Sequence, residues 1–264
     1  MSDSRLAAAW KALRASGRPA LIPYLTAGHP DLATSEAAFR AADDIADILE
    51  VGVPFSDPLA DGPVIQRSTF AALRQGMTLA GTLELVGRLR PSRPVVIFSY
   101  LNPVLQYGID RFLADAGRLG IAGLLLTDLP AGGDPPLEDR IRASSLDLVR
   151  LIAPTTSAAR LAEAVAGAEG FLYLVARLGV TGASRSLSQD LAEQVARVRA
   201  VTSLPIAVGF GISTPAQAAE VAALADGVVV GSALVDLLER EGVGALRRFL
   251  GELRTALDEA KVAA

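Results

Sequence analysis

The sequence predicts an α/β chain folded as a single (β/α)8 barrel, with one extra helix ahead of the first strand. Three observations predict it. Short apolar runs alternate with helical patterns eight times along 264 residues, and strict alternation of this kind means a parallel sheet with right-handed crossovers. No linker or shift of composition divides residues 1–264, so one TIM barrel fits better than two small domains. An open doubly wound sheet would show a glycine fingerprint after its first strand, where this chain reads Gly28-His29-Pro30.

The elements follow in order. Leu6, Ala9, Trp10 and Leu13 mark one face of a helix that Gly17 stops. Because it precedes the first strand, it is expected to cover the closed end. Ala20 to Thr26 is the first strand, and Leu32 to Ala42 a helix. The second strand ends at or near Glu50. Helical patterns cover Val64 to Arg74 and Leu79 to Arg90, parted by Gly76. Pro94 to Tyr100 is the third strand, and one helical region runs from Asn102 to Leu119. Ala122 to Leu126, Asp147 to Ile152, Gly170 to Ala176, Pro205 to Val208 and Gly227 to Val230 complete the eight strands. Helices are expected over 136–143, 157–166 and 188–201, and from Thr214-Pro215, with Ser157 as an N-cap. A short helix opens at Ser232, and the last runs from Val243 to Ala260.

Composition narrows the chemistry. Half the residues are apolar (51%), enough for a large core. A net charge of −4 argues against nucleic acid or an anionic membrane as the main partner. The longest uncharged stretch, Ala200 to Ala219, is broken by Pro205 and Pro215 and is no membrane span. The first residues hold no apolar signal core, so the expected location is the cytoplasm. Cysteine is absent, the one histidine is His29, and the only lysines are Lys11 and Lys261. A Schiff-base aldolase needs a lysine in its site, and a zinc aldolase needs several histidines. The chemistry is therefore expected to use carboxylates, hydroxyls, arginines and backbone groups, with no metal.

Glu50 to Arg67 reads EVGVPFSDPLADGPVIQR. Glu50 ends a buried strand, a costly place for a carboxylate. Asp61 lies in the irregular loop that follows and could fold back over the same opening. Two carboxylates in unlike settings are the raw material of acid–base catalysis. The plain alternative pairs Glu50 with an arginine and uses Asp61 to cap the helix near Val64. At the other side, Gly209-Phe210-Gly211 follows the seventh strand and Gly231-Ser232 the eighth. Loops at those positions often hold a phosphate through backbone N–H groups and a helix N-terminus. Val180-Thr181-Gly182 could close a third side.

The runs PYLTAG from Pro23, EVGVPFSDPLADGPVIQRS from Glu50, YLNPVL from Tyr100, DLP from Asp128, GVTG from Gly179, GFGIS from Gly209 and GSA from Gly231 are spread in order along nearly the whole chain. In them the chain resembles the tryptophan synthase alpha subunit family, and the PFSDPLADGP run is highly specific. The resemblance implies retro-aldol cleavage of indole-3-glycerol phosphate to indole and glyceraldehyde 3-phosphate. It implies Glu50 and Asp61 as catalytic residues. Tyr24, Phe98, Tyr100, Leu125, Thr127, Tyr173, Phe210 and Val229 would wall the substrate pocket, with Thr181 closing on Asp61. Gly182, Gly211, Gly231 and Ser232 would hold the phosphate. Pro54, Phe55 and Asp57 would face a partner beta subunit in an α2β2 heterotetramer. Pyridoxal phosphate would sit on that partner only, leaving this chain without a cofactor. The chain departs from the family pattern at Ala176 and Leu178, around Arg177, and at Thr127.

Overall fold

A computed structural model describes residues 4–176, 187–209 and 211–262. Eight parallel strands close into a barrel in sequence order: β1 (Ala20–Thr26), β2 (Leu49–Gly52), β3 (Val95–Ser99), β4 (Gly123–Leu126), β5 (Asp147–Ile152), β6 (Leu172–Val175), β7 (Ile206–Gly209) and β8 (Gly227–Val230). β8 pairs back onto β1 with Ala20 opposite Gly227 and Ile22 opposite Val229, which leaves no open edge. The flanking helices are α1 (Arg5–Ser16), α2 (Leu32–Asp43), α3 (Pro63–Arg74), α4 (Leu79–Leu89), α5 (Leu101–Tyr107), α6 (Ile109–Arg118), α7 (Pro135–Arg142), α8 (Ala158–Ala166), α9 (Leu187–Arg199), α10 (Pro215–Ala222) and α11 (Ser232–Val262).

One helical expectation changes. The region expected as one helix is two, α5 and α6, because Gly108 between them takes φ 92°, a value that favours glycine and cannot continue a helix. The two helices expected at the end are both present within α11: they meet at Gly242, whose positive φ (76°) is not helical. Ser157 caps α8 as expected, accepting from the Arg160 N–H.

Strand alternation sorts the core into two layers. Ile22, Ile48, Val96, Leu125, Val149, Phe171, Ala207 and Val229 point into the barrel. Leu21, Leu49, Val95, Leu124, Leu148, Leu172, Ile206 and Val228 point out to the helices. The inner layer is sealed at its N-terminal end by Leu6, Trp10 and Leu13 of α1. Trp10 packs on Phe171 with ring centroids 5.6 Å apart, and Ser4 caps α1 while its hydroxyl donates to Asp147 at 2.5 Å.

The same end carries a buried ionic clasp. Asp47, just before β2, accepts from the Leu21 N–H at 2.8 Å, from Arg254 of α11 at 2.9 Å and from Arg18 at 3.2 Å. Arg254 also donates to the Pro19 carbonyl and to Asp258. The clasp ties the last helix to the first two strands and leaves the opposite, C-terminal mouth open for chemistry.

Candidate active site

At the C-terminal mouth the described residues surround a cavity with about 820 Å³ of empty space. Its floor and walls come from strand ends: Tyr24 of β1, Glu50 of β2, Phe98 of β3, Thr127 after β4, Tyr173 of β6 and Val229 of β8. The loop after β2 forms one rim through Ala60, Asp61 and Gly62, and Ile65 of α3 stands behind it.

Glu50 is 1% exposed, and neither of its carboxyl oxygens has a hydrogen-bond partner among the described residues. Burial alone pushes its pKa up to about 8, because the charged form loses its water without gaining a donor. Among the described residues no arginine pairs with Glu50. This carboxyl is held at a strand end, facing a cavity, and keeps its proton near neutrality.

Asp61 is held differently. The Tyr100 hydroxyl donates to Asp61 Oδ2 at 3.1 Å and accepts from the Ala60 N–H at 2.9 Å, so one phenol fixes both the loop and the carboxylate. Gln66 of α3 ties the same loop down, donating to the carbonyls of Pro58 and Asp61. Burial raises the Asp61 pKa to about 6, against the lowering effect of the Tyr100 hydrogen bond. Asp61 therefore remains largely ionised at neutral pH. It does not cap α3: the N-cap is Gly62, with no side-chain hydrogen bond, and Pro63 opens the helix.

Two glycines make room for phenols. A methyl group on Gly52 would lie 2.1 Å from the Tyr24 hydroxyl oxygen, and one on Gly209 would lie 2.3 Å from that of Tyr173. Only glycine lets these rings lie across the mouth. Tyr24 also meets Phe98 edge-on at 5.2 Å. Burial raises the pKa of both Tyr24 and Tyr173, so both stay protonated.

Gly211, after β7, and Gly231 and Ser232, after β8, line the same cavity. Gly211 has φ 82°. Ser232 opens α11, whose first turn is closed by the Leu234 and Val235 N–H groups on the Gly231 carbonyl. The leading N–H groups of a helix lack intrahelical acceptors and favour an anion.

Some expectations fail. Leu125 does not line the cavity: it is fully buried in the inner layer, one step below Thr127 on the same inward face. Tyr100 stands behind Asp61 instead of lining the wall. In the second loop Pro54 is buried and Phe55 packs half-buried on Tyr100 at 5.0 Å, and Asp57 is exposed. Leu59, two residues on, is 91% exposed. Thr181, Gly182 and Phe210 lie outside the described residues, as do Arg177 and Leu178. Sequence reading also missed Ile65, Leu151, Val175 and Ile212 as lining residues. For Leu151 and Val175 the signal was available, since each lies two residues beyond an inward-facing residue, Val149 and Tyr173.

Among the described residues no lysine lines the cavity. Lys11 is exposed on α1 at the closed end, and Lys261 follows Asp258 on α11. Among the described residues no three His, Cys, Asp or Glu side chains gather to hold a metal ion. No helix among them is long and apolar enough to cross a membrane.

Comparison with known proteins agrees with this geometry. Residues 10–261 match the family described as "Tryptophan synthase alpha chain". The chain is 45% identical to the tryptophan synthase alpha chain of Citrifermentans bemidjiense over 259 residues, 97% of each chain. It is 47% identical to that of Acidiphilium cryptum over 239 residues, 89% of this chain and 87% of the relative. A solved structure of Mycobacterium tuberculosis tryptophan synthase superposes with TM-score 0.89 at 43% identity, covering 97% of this chain and 99% of its own. The alpha subunit from Legionella pneumophila superposes with TM-score 0.88 at 35% identity, with coverage of 97% and 99%. A closed barrel with two unlike carboxyl groups at its mouth, and a family match over nearly its full length, place this chain in the tryptophan synthase alpha chain family.

Proposed function

We propose that this chain, acting as one domain in the cytoplasm, cleaves indole-3-glycerol phosphate to indole and D-glyceraldehyde 3-phosphate by carboxylate acid–base catalysis. It is a carbon–carbon lyase of tryptophan biosynthesis. The observation that carries the mechanism is the Glu50 carboxyl, fully buried, without a partner among the described residues and facing the cavity.

The bond to be broken joins indole C3 to the adjacent glycerol carbon, and its electron pair needs an acceptor. Protonated Glu50 gives its proton to C3. The ring becomes an indoleninium, and the positive charge is shared with the ring N–H. Asp61, ionised and oriented by Tyr100, accepts that N–H and stabilises the charge. The Glu50 carboxylate then takes the proton from the glycerol hydroxyl. The O–H electrons form the aldehyde carbonyl, the carbon–carbon bond breaks, and its pair returns to the ring, which becomes indole. Each proton Glu50 gives is recovered, so the cycle closes without a further acid. Gly211, Gly231 and Ser232, with Gly182, hold the phosphate. Tyr24, Phe98, Tyr173 and Val229, with Phe210, hold the apolar part of the substrate. Thr181 closes on Asp61, which would exclude water from the intermediate.

The beta subunit is the partner, in an α2β2 assembly, and pyridoxal phosphate belongs to it. The exposed part of the second loop, Asp57 with Leu59, is the surface it would meet. Indole release by the purified chain in EDTA, with and without a beta subunit, tests this reading. Slow metal-independent release that the partner strongly accelerates supports it. No release in either condition overturns it.

A further inference from the structure

Three buried hydroxyls beside the cavity have no part in the chemistry above. Tyr24 and Thr26 lie on β1, and Ser68 lies on α3; they are 6%, 2% and 0% exposed. Ser68 Oγ donates to the Ile65 carbonyl at 2.8 Å. Ser68 Oγ and Thr26 Oγ1 are 2.7 Å apart, and Thr26 Oγ1 and Tyr24 Oη make a longer contact of 3.4 Å.

The end of this chain sets its direction. A carbonyl can only accept, and each hydroxyl has one proton to give. The Ser68 proton goes to Ile65. The Thr26–Ser68 bond then uses the Thr26 proton, which leaves Thr26 only lone pairs to offer Tyr24. In this arrangement the phenol is the donor in its contact with Thr26.

We infer that Thr26 and Ser68 are positioning residues: they turn the Tyr24 phenolic proton away from the cavity, so that Tyr24 meets the cavity only as a hydrogen-bond acceptor. Several observations give this orientation a consequence. Tyr24 is the register partner of Glu50 across β1 and β2. Tyr24, Glu50 and Asp61 line the same cavity. The Tyr24 oxygen is packed directly over Gly52, two residues beyond Glu50 on β2. The titratable groups that face it are Asp61 from the second loop, Glu50 from β2, Tyr100 after β3 and Tyr173 from β6. A phenol that presents only its oxygen to the cavity disfavours an ionised carboxylate there. It favours a donor in the cavity, either a protonated carboxyl or a ligand hydroxyl. The identity of that ligand hydroxyl, a glycerol hydroxyl, rests on the proposed function; the direction of the proton chain does not.

Carboxyl NMR titration of the full chain without substrate tests the inference, with Glu50→Gln and Asp61→Asn assigning the signals. Thr26→Val keeps the side-chain shape and removes the acceptor, so the phenolic proton is free to turn inward. The midpoint of Glu50 or Asp61, whichever the freed hydroxyl reaches, should fall by about half a unit to one unit. Ser68→Ala releases the Thr26 proton towards Tyr24 and should move it in the same direction. Thr26→Ser should keep the original midpoint. With Tyr24→Phe as the background, Thr26→Val should have no effect. If neither midpoint falls with Thr26→Val, or if both backgrounds respond equally, the inference is overturned. Indole release by the unsubstituted chain is read in parallel: its failure would overturn the proposed reaction and leave the titration result standing.

Discussion

Glu50 should make the protein less stable as pH rises, and Glu50→Gln should remove that dependence. The ordinary glutamate pKa is 4.5, and burial lifts that of Glu50 to about 8 in the folded chain. Between these values the folded protein still holds the proton that the unfolded chain has released. The unfolded state binds fewer protons there, so stability falls with rising pH across this window. The contribution is fully present below 4.5 and is lost as pH passes about 8. Linkage places the loss at about 1 kcal/mol at pH 5, about 3 at pH 7 and about 4 at pH 8. Asp61 and every other titrating group are common to both proteins, so the difference between the two stability curves isolates Glu50. The buried amide of the variant adds a constant offset and no slope. Urea unfolding at a series of pH values from 5 to 8.5 measures both curves. The variant should gain about 3 kcal/mol relative to the parent between pH 5 and pH 8. Parallel curves would refute the argument, because Glu50 would then titrate as an ordinary carboxyl group. A destabilising group retained in a cavity wall is the expected trade of stability for function.

Three further outcomes follow from the geometry. kcat/KM for indole release should rise through about pH 6 as Asp61 ionises and fall through about pH 8 as Glu50 loses its proton; a flat profile over this range would contradict the assigned protonation states. Gly52→Ala places a methyl group on the Tyr24 phenol and should lower kcat/KM by about 10²-fold with circular dichroism unchanged. Arg254→Met leaves Asp47 buried beside only the half-exposed Arg18 and should cost about 3 kcal/mol in urea unfolding. The same substitution lies at the closed end, so indole release by the folded variant should stay near that of the parent.

Much of the architecture was legible because it rests on local periodicity. The apolar runs marked the eight strands, and the two helix starts read at Ser157 and Thr214 are side-chain caps. The break at Gly108 was missed because the apolar pattern continues across it and only the backbone angle shows the turn. Leu125, expected in the wall on the family resemblance, is not among the residues that line the cavity. Alternation states which face a residue takes, not how deep it lies along the barrel axis, and depth is set by strand stagger on closure. Tyr100 was expected in the wall on the family resemblance, and its hydrogen bond to Asp61, 39 positions away in sequence, is made only when the barrel closes.

The sequence by itself determined the repeat of strands and helices, the lack of cysteine and near-lack of lysine and histidine, and the two carboxylates that remained for the chemistry. These are properties of composition and short-range pattern. Only the tertiary structure decided that Glu50 has no partner among the described residues, that Asp61 is held by Tyr100, and that Gly52 and Gly209 open space for two phenols. Each of these depends on groups brought together from separate strands and loops. A carboxyl group's pKa follows from its solvent and its neighbours, and both are set when the barrel closes.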